Sequence, residues 1–190
     1  MKHFYYTLLI LVSFLGCKKE EKNQDEFITA KNEVKIGKPF FDFDEIDYYS
    51  INEIENDSIS DLTEIYDNEN KSKIGKLKFD IVLGKIPKNI QDSNFIKKLH
   101  ELGFTKINVS KAKHSKINQI FSEKEAIERI DAACIPAYRD ILIFRKKNKN
   151  IGIAKICFGC MKKMIVGTTA NTFDFGQDGD FENLENLLKN

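Results

Sequence analysis

Four cysteines, Cys17, Cys134, Cys157 and Cys160, are the residues of this 190-residue chain whose type and spacing suggest covalent chemistry. Cys134, Cys157 and Cys160 form an odd set of thiols, so they cannot all pair within one chain. In a continuous strand Cys157 and Cys160 would point to opposite faces about 10 Å apart, beyond the roughly 7 Å Cα separation that a disulfide tolerates. A bridge between them needs a turn, which Gly159 permits; Cys134, in the segment leading into Ile141, is the other partner within reach. Both pairings stay open on sequence alone. A redox Cys-X-X-Cys site also needs a thiol of low pKa at a helix N-terminus or beside a cation. Here Met161-Lys162-Lys163 and then another expected strand follow Cys160, which is the wrong context, although Lys155 shares a strand face with Cys157 and would favour its thiolate modestly.

Other chemistries are poorly supplied. Zinc binding by Cys134, Cys157 and Cys160 with His114 would complete four ligands, but the spacing lacks two close ligand pairs, so no metal site is expected. His100-Glu101 has no second histidine three residues on. The stretch from Asp174 to Asp180 gathers carboxylates around Gly176 and Gly179 without the twelve-residue ligand order of a calcium loop. Turns and capping of a following helix account for it. Paired acids such as Asp42 and Asp44, or Asp57 and Asp61, read as a solvated face. No nucleophile elbow, phosphate-cradling glycine loop or dinucleotide fingerprint is present, and no cofactor is expected.

The elements that would position the cysteines are clearest in the second half. Ile141-Leu142-Ile143-Phe144 is apolar on both alternating faces, as a central strand is. A turn at 148–150 leads to a return strand at 151–158 and a third strand at 164–168. Phe181, Leu184, Leu187 and Leu188 mark one face of a terminal helix that starts near Asp178 or Asp180. Upstream, residues 40–51 mix aromatic and acidic side chains and contain a strand. Residues 52–70 fit either a helical face through Ile54, Ile59, Leu62 and Ile65 or loops. Residues 77–83 read as a strand ended by Gly84 and Pro87. A short helix capped by Asp92 or Ser93 buries Phe95, Leu99 and Leu102, and 104–109 is a strand. Ser122 and Glu125, at capping-box spacing, open a second helix with Ile127 and Ile130 inward. The expected fold is α+β, a single domain with a C-terminal antiparallel β-meander packed by short helices.

Residues 34–190 are long enough to bury a proper core. Residues 17–33 are dominated by Lys, Glu, Asp, Asn and Gln and read as a polar tether. Residues 1–16 carry Lys2, an apolar run and Gly16, the layout of a signal peptide whose apolar run is too short to span a bilayer. The chain holds 30 basic and 29 acidic residues. Removal of 1–16 takes away Lys2 and no acid, leaving a balanced body without the basic stripe that nucleic-acid binding requires.

Phe14-Leu15-Gly16-Cys17 resembles a bacterial lipobox, which implies cleavage before Cys17 and acylation of its thiol. The following Lys18-Lys19-Glu20-Glu21 resembles the tract after the lipidated cysteine in surface-exported lipoproteins of the Bacteroidota. The resemblance implies a cell-envelope protein, lipid-anchored in the outer membrane and exposed at the surface. The stretches from Cys134 to Asp140 and from Ile156 to Cys160 are similar to the C-terminal parts of uncharacterised lipoproteins of that group, which implies that the three remaining cysteines belong to one structural unit. The expected role is a non-enzymatic binding or envelope-associated module. The alternatives are a thiol-disulfide protein using Cys157 and Cys160, and an immunity or inhibitor lipoprotein binding an envelope or secreted protein partner through its acidic-aromatic N-terminal part.

Overall fold

A computed structural model describes residues 35–51 and 72–189, all within one unit, Val34–Asn190. The signal segment, Cys17, the tether, the acids Asp57 and Asp61 and the ambiguous stretch 52–70 lie outside the described residues.

The described residues form a five-stranded antiparallel sheet with helices on both faces, an α+β domain with a C-terminal meander. The strands are β1 (Glu45–Ser50), β2 (Thr105–Asn108), β3 (Asp140–Lys146), β4 (Lys149–Cys157) and β5 (Lys162–Val166), in the order β2-β1-β3-β4-β5. The helices are α1 (Lys73–Val82), α2 (His114–Ile120) and α3 (Asp180–Lys189), with 3-10 turns at Ser93–Lys98 and Lys111–Lys113.

Strand β3 is central because both of its faces are apolar. Leu142 and Phe144 point to one side, where they pack with Ile117 and Ile120 of α2, Leu184 and Leu188 of α3, and the rings of Phe41, Phe121 and Phe175. Ile141 and Ile143 point to the other, against Phe79, Ile81 and Val82 of α1 and Phe95, Leu99 and Leu102 around the 3-10 turn. All four are fully buried, and each contributes about 1.5–3 kcal/mol on burial. Lys147 and Asn148, with φ of 49° and 61°, make the two-residue β3–β4 turn. On the α2–α3 side Phe41 stacks on Phe144 with centroids 4.5 Å apart and lies flat against Gly152 of β4, where a Cβ would overlap the ring.

Three expectations fail, each for a local reason. Residues 77–83 belong to α1 rather than to a strand. Leu77, Phe79 and Ile81 alternate with polar residues, but Ile74, Leu77 and Ile81, with Phe79 and Val82, also fit a helical period. The Ser72 hydroxyl accepts the Gly75 N–H at 3.1 Å and Gly84, at φ 75°, stops the chain; these caps decide the outcome. No helix follows Ser122. Its hydroxyl donates backwards to the Asn118 carbonyl at 2.6 Å, closing α2 instead of opening a new helix, and Ile127 and Ile130 are 64% and 53% exposed. Helix α2 itself was not expected. Phe95, Leu99 and Leu102 are buried as foreseen, but on a 3-10 turn, and the Asp92 carboxylate accepts the Lys88 N–H at 2.9 Å instead of capping it.

Candidate functional site

The cysteines converge where β4 turns into β5. Strand pairing ends at Cys157 opposite Lys162, and residues 158–161 close the hairpin, with the Met161 N–H bonded to the Phe158 carbonyl at 3.1 Å and Met161 at φ 48°. Cys160 sits in this loop. The segment 123–139, a strap without regular structure, brings Cys134 to it, and Cys134 and Cys160 form a disulfide with a Cα separation of 6.0 Å. Of the two pairings left open by the sequence, the structure takes the one through Cys134. Cys157 remains a free, buried thiol. The loop containing 26 residues of sequence separation is long enough for its closure to contribute about 3 kcal/mol.

The strap reaches this position because side chains of the turn before α3 take over its backbone. Asp174 accepts the Ala126 N–H at 3.2 Å and binds the Arg129 guanidinium at 2.7 and 3.2 Å. Asp178 accepts the N–H groups of Ile127 and Glu128 at 2.9 and 3.1 Å. The Gln177 amide both accepts from and donates to Ile130. Asp180 pairs with Lys124. The carboxylates that suggested a calcium loop are thus engaged with the strap. Further along, Lys162 pairs with Asp131 at 3.0 Å, and the Tyr138 N–H donates to the Val82 carbonyl at 2.8 Å.

A cavity of about 420 Å³ opens beside the disulfide, bordered by Cys157, Cys160, Ile135, Asp140, Ser50 and Glu185 among others. Asp140, the first residue of β3, is buried, and its carboxylate accepts from the hydroxyls of Tyr48 at 2.5 Å and Ser50 at 3.0 Å. Burial, reinforced by the adjacent carboxylate, pushes the Tyr48 hydroxyl well above the usual phenol range. The hydroxyl therefore acts as a fixed donor to Asp140.

Lys155 alternates onto the same face of β4 as Cys157, as expected, but its amine is engaged elsewhere. It is fully buried, donates to the carbonyl of Ile81 and, at 2.6 Å, to that of Ile86, and lies 5.1 Å from the centre of the Tyr138 ring. Burial lowers its pKa to about 7. Its role at the end of α1 escaped the sequence reading, although a lysine inside the apolar run Ile151-Gly152-Ile153-Ala154-Lys155-Ile156 is a visible signal for a buried amine.

The remaining candidates separate. His114 packs edge-on against Phe43 at 5.4 Å, beside Ser115 and Asn118, and does not border the cysteine cavity. Among the described residues no group of three or more His, Cys, Asp or Glu side chains could hold a metal ion. In the acidic-aromatic stretch, Asp42 pairs with Lys146, Asp44 accepts the Lys147 N–H at 2.9 Å, and Asp47 binds Lys106 and Arg145 at 2.6 and 3.1 Å. What remains at the cysteine corner is one disulfide, one buried thiol and a strap carrying exposed apolar side chains. Compared with known protein families, curated proteins and solved structures, the chain matches none.

Proposed function

We propose that this protein is a cell-envelope lipoprotein, held in the outer membrane by acyl chains on Cys17, whose domain serves as a non-enzymatic binding module for an envelope or secreted protein. The sequence from Met1 to Cys17 supports the anchor. Each buried methylene contributes about 0.8 kcal/mol, so two or more acyl chains hold a protein stably where one does not. Among the described residues no helix is long and apolar enough to cross a membrane, and in this reading attachment falls to the lipid.

The observation that carries the binding role is the strap. Ile127, Ile130 and Ile135 are exposed on it, and Phe173 is exposed beneath the Arg129 guanidinium. The strap's backbone is already tied down by Asp174, Gln177, Asp178 and the disulfide. Apolar side chains presented on a preordered backbone lose little entropy on binding, which is what a protein-recognition surface needs.

Fractionation of cells making the Cys17→Ser variant tests the anchor. The variant is expected in the soluble fraction, without the mass of acyl chains that the native protein carries. Equal membrane association of the two proteins, or native protein in the cytosol with Met1 retained, overturns it. For the binding role, photocrosslinkers placed at Ile127 and Ile130 are expected to join an envelope protein, and crosslinks no different from those of a probe at exposed Lys97 count against it.

A further inference from the structure

Cys157 ends β4 as a buried thiol three residues before Cys160, whose sulfur is already bonded to Cys134. Cys157, Cys160, Ile135 and Ala137 border one cavity, so thiol and disulfide occupy the same corner. The loop that separates the two cysteines has room to change shape. It lies beyond the last strand pair, Cys157 with Lys162, and around Gly159 nothing lies within 4 Å of the position a Cβ would take. A tight turn there is the condition under which Cys157 and Cys160 come within bonding separation. The two ends of the exchange differ in access: Cys157 is 8% exposed, whereas Cys134 lies on the exposed strap.

We propose that the three cysteines form an internal thiol shuttle, in which Cys157 displaces Cys134 from Cys160 and so moves the free thiol from the buried strand end to the exposed strap. Cys157 loses its proton to water, and its thiolate attacks Cys160 Sγ. The Cys157–Cys160 bond forms as the Cys134–Cys160 bond breaks, and Cys134 leaves with the electron pair and takes up a proton. One disulfide and one thiol are present before and after, so no oxidant or reductant is consumed. Once outside, the Cys134 thiolate can attack a soluble disulfide, forming a mixed disulfide at position 134 and releasing the other half as a thiol. The strap loses its covalent tie in the same step, keeping the ion pairs and hydrogen bonds to Asp174, Gln177 and Asp178. This chemistry is independent of the lipid anchor and of any protein partner.

Native protein incubated with N-ethylmaleimide at pH 8, then digested without reduction and mapped by mass spectrometry, tests the shuttle. The expected products are a maleimide adduct on Cys134 together with a Cys157–Cys160 crosslinked peptide, appearing faster as pH rises. In the Cys157→Ala variant the Cys134 adduct should be lost and the Cys134–Cys160 peptide retained. Label confined to Cys157, no label at all before unfolding, or equal labelling of Cys134 in the variant overturns the proposal. The Cys134→Ala variant provides an independent check with its fold verified by circular dichroism. Treated with oxidised glutathione, it should form the Cys157–Cys160 bridge, and persistence of two free thiols or of glutathione adducts alone rules the exchange out.

Discussion

The Tyr48 hydroxyl of β1 donates to the Asp140 carboxylate of β3 at 2.5 Å, in a buried setting two residue pairs along the ladder from direct opposition. Ser50, which does lie opposite Asp140, donates to the same oxygen at 3.0 Å. A buried carboxylate with two hydroxyl donors is stabilised where a lone one would be expelled.

Removing the stronger donor should therefore cost more than removing a surface bond. Tyr48→Phe is expected to lower stability by about 1.5–3 kcal/mol, the range for hydrogen bonds to charged groups. Urea denaturation of Tyr48→Phe, Ser50→Ala and the double variant checks this, and the two losses should not add, because both donors serve one oxygen.

Lys155 should tie stability to pH. In the folded protein its pKa is lowered by burial to about 7, whereas an unfolded lysine titrates near 10.4. Between these values the unfolded chain binds more protons, so stability rises with pH. Below about pH 7 both states carry the charge and this contribution to the slope vanishes. Urea midpoints are expected to increase from pH 7 to pH 9 by the equivalent of about 1–3 kcal/mol, and the increase should disappear in Lys155→Met. A neutral amine keeps two N–H groups, enough for the carbonyls of Ile81 and Ile86.

Gly152→Ala tests the packing of the sheet against the aromatic cluster. A methyl group at this point of β4 meets the Phe41 ring, itself stacked on the fully buried Phe144. Overpacking of this kind costs about 1–3 kcal/mol. The double variant Gly152→Ala with Phe41→Leu, measured by thermal unfolding, should recover part of the loss.

How far the fold was legible depended on whether a residue's surroundings are local. The run from Ile141 to Phe144 announces a central strand because both faces are apolar, and the terminal helix declares itself through Phe181, Leu184 and Leu188. At 77–83 two periodicities coexist in one stretch, and the choice rests on Ser72 and Gly84 at its ends. Ser122 has the spacing of a helix start, yet it serves the helix behind it. The strap is less legible still, since its partners are the side chains of Asp174, Gln177 and Asp178. The cysteine pairing was hidden for a similar reason, since Cys134 and Cys160 meet across a sequence separation of 26 with no local pattern to join them.

For the stretch 124–130 of the strap, the partners Asp174, Gln177, Asp178 and Asp180 lie 45 to 56 positions later in the chain. A ribosome delivers residues 124–130 well before the carboxylates and amide that give them shape, and a chain cut short at about residue 170 would keep the strap's ties at Asp131, Cys134 and Tyr138 but lose those made by Asp174, Gln177, Asp178 and Asp180. The shape of this face therefore waits on residues 174–180, so the proposed recognition surface takes form only once that later turn has been made.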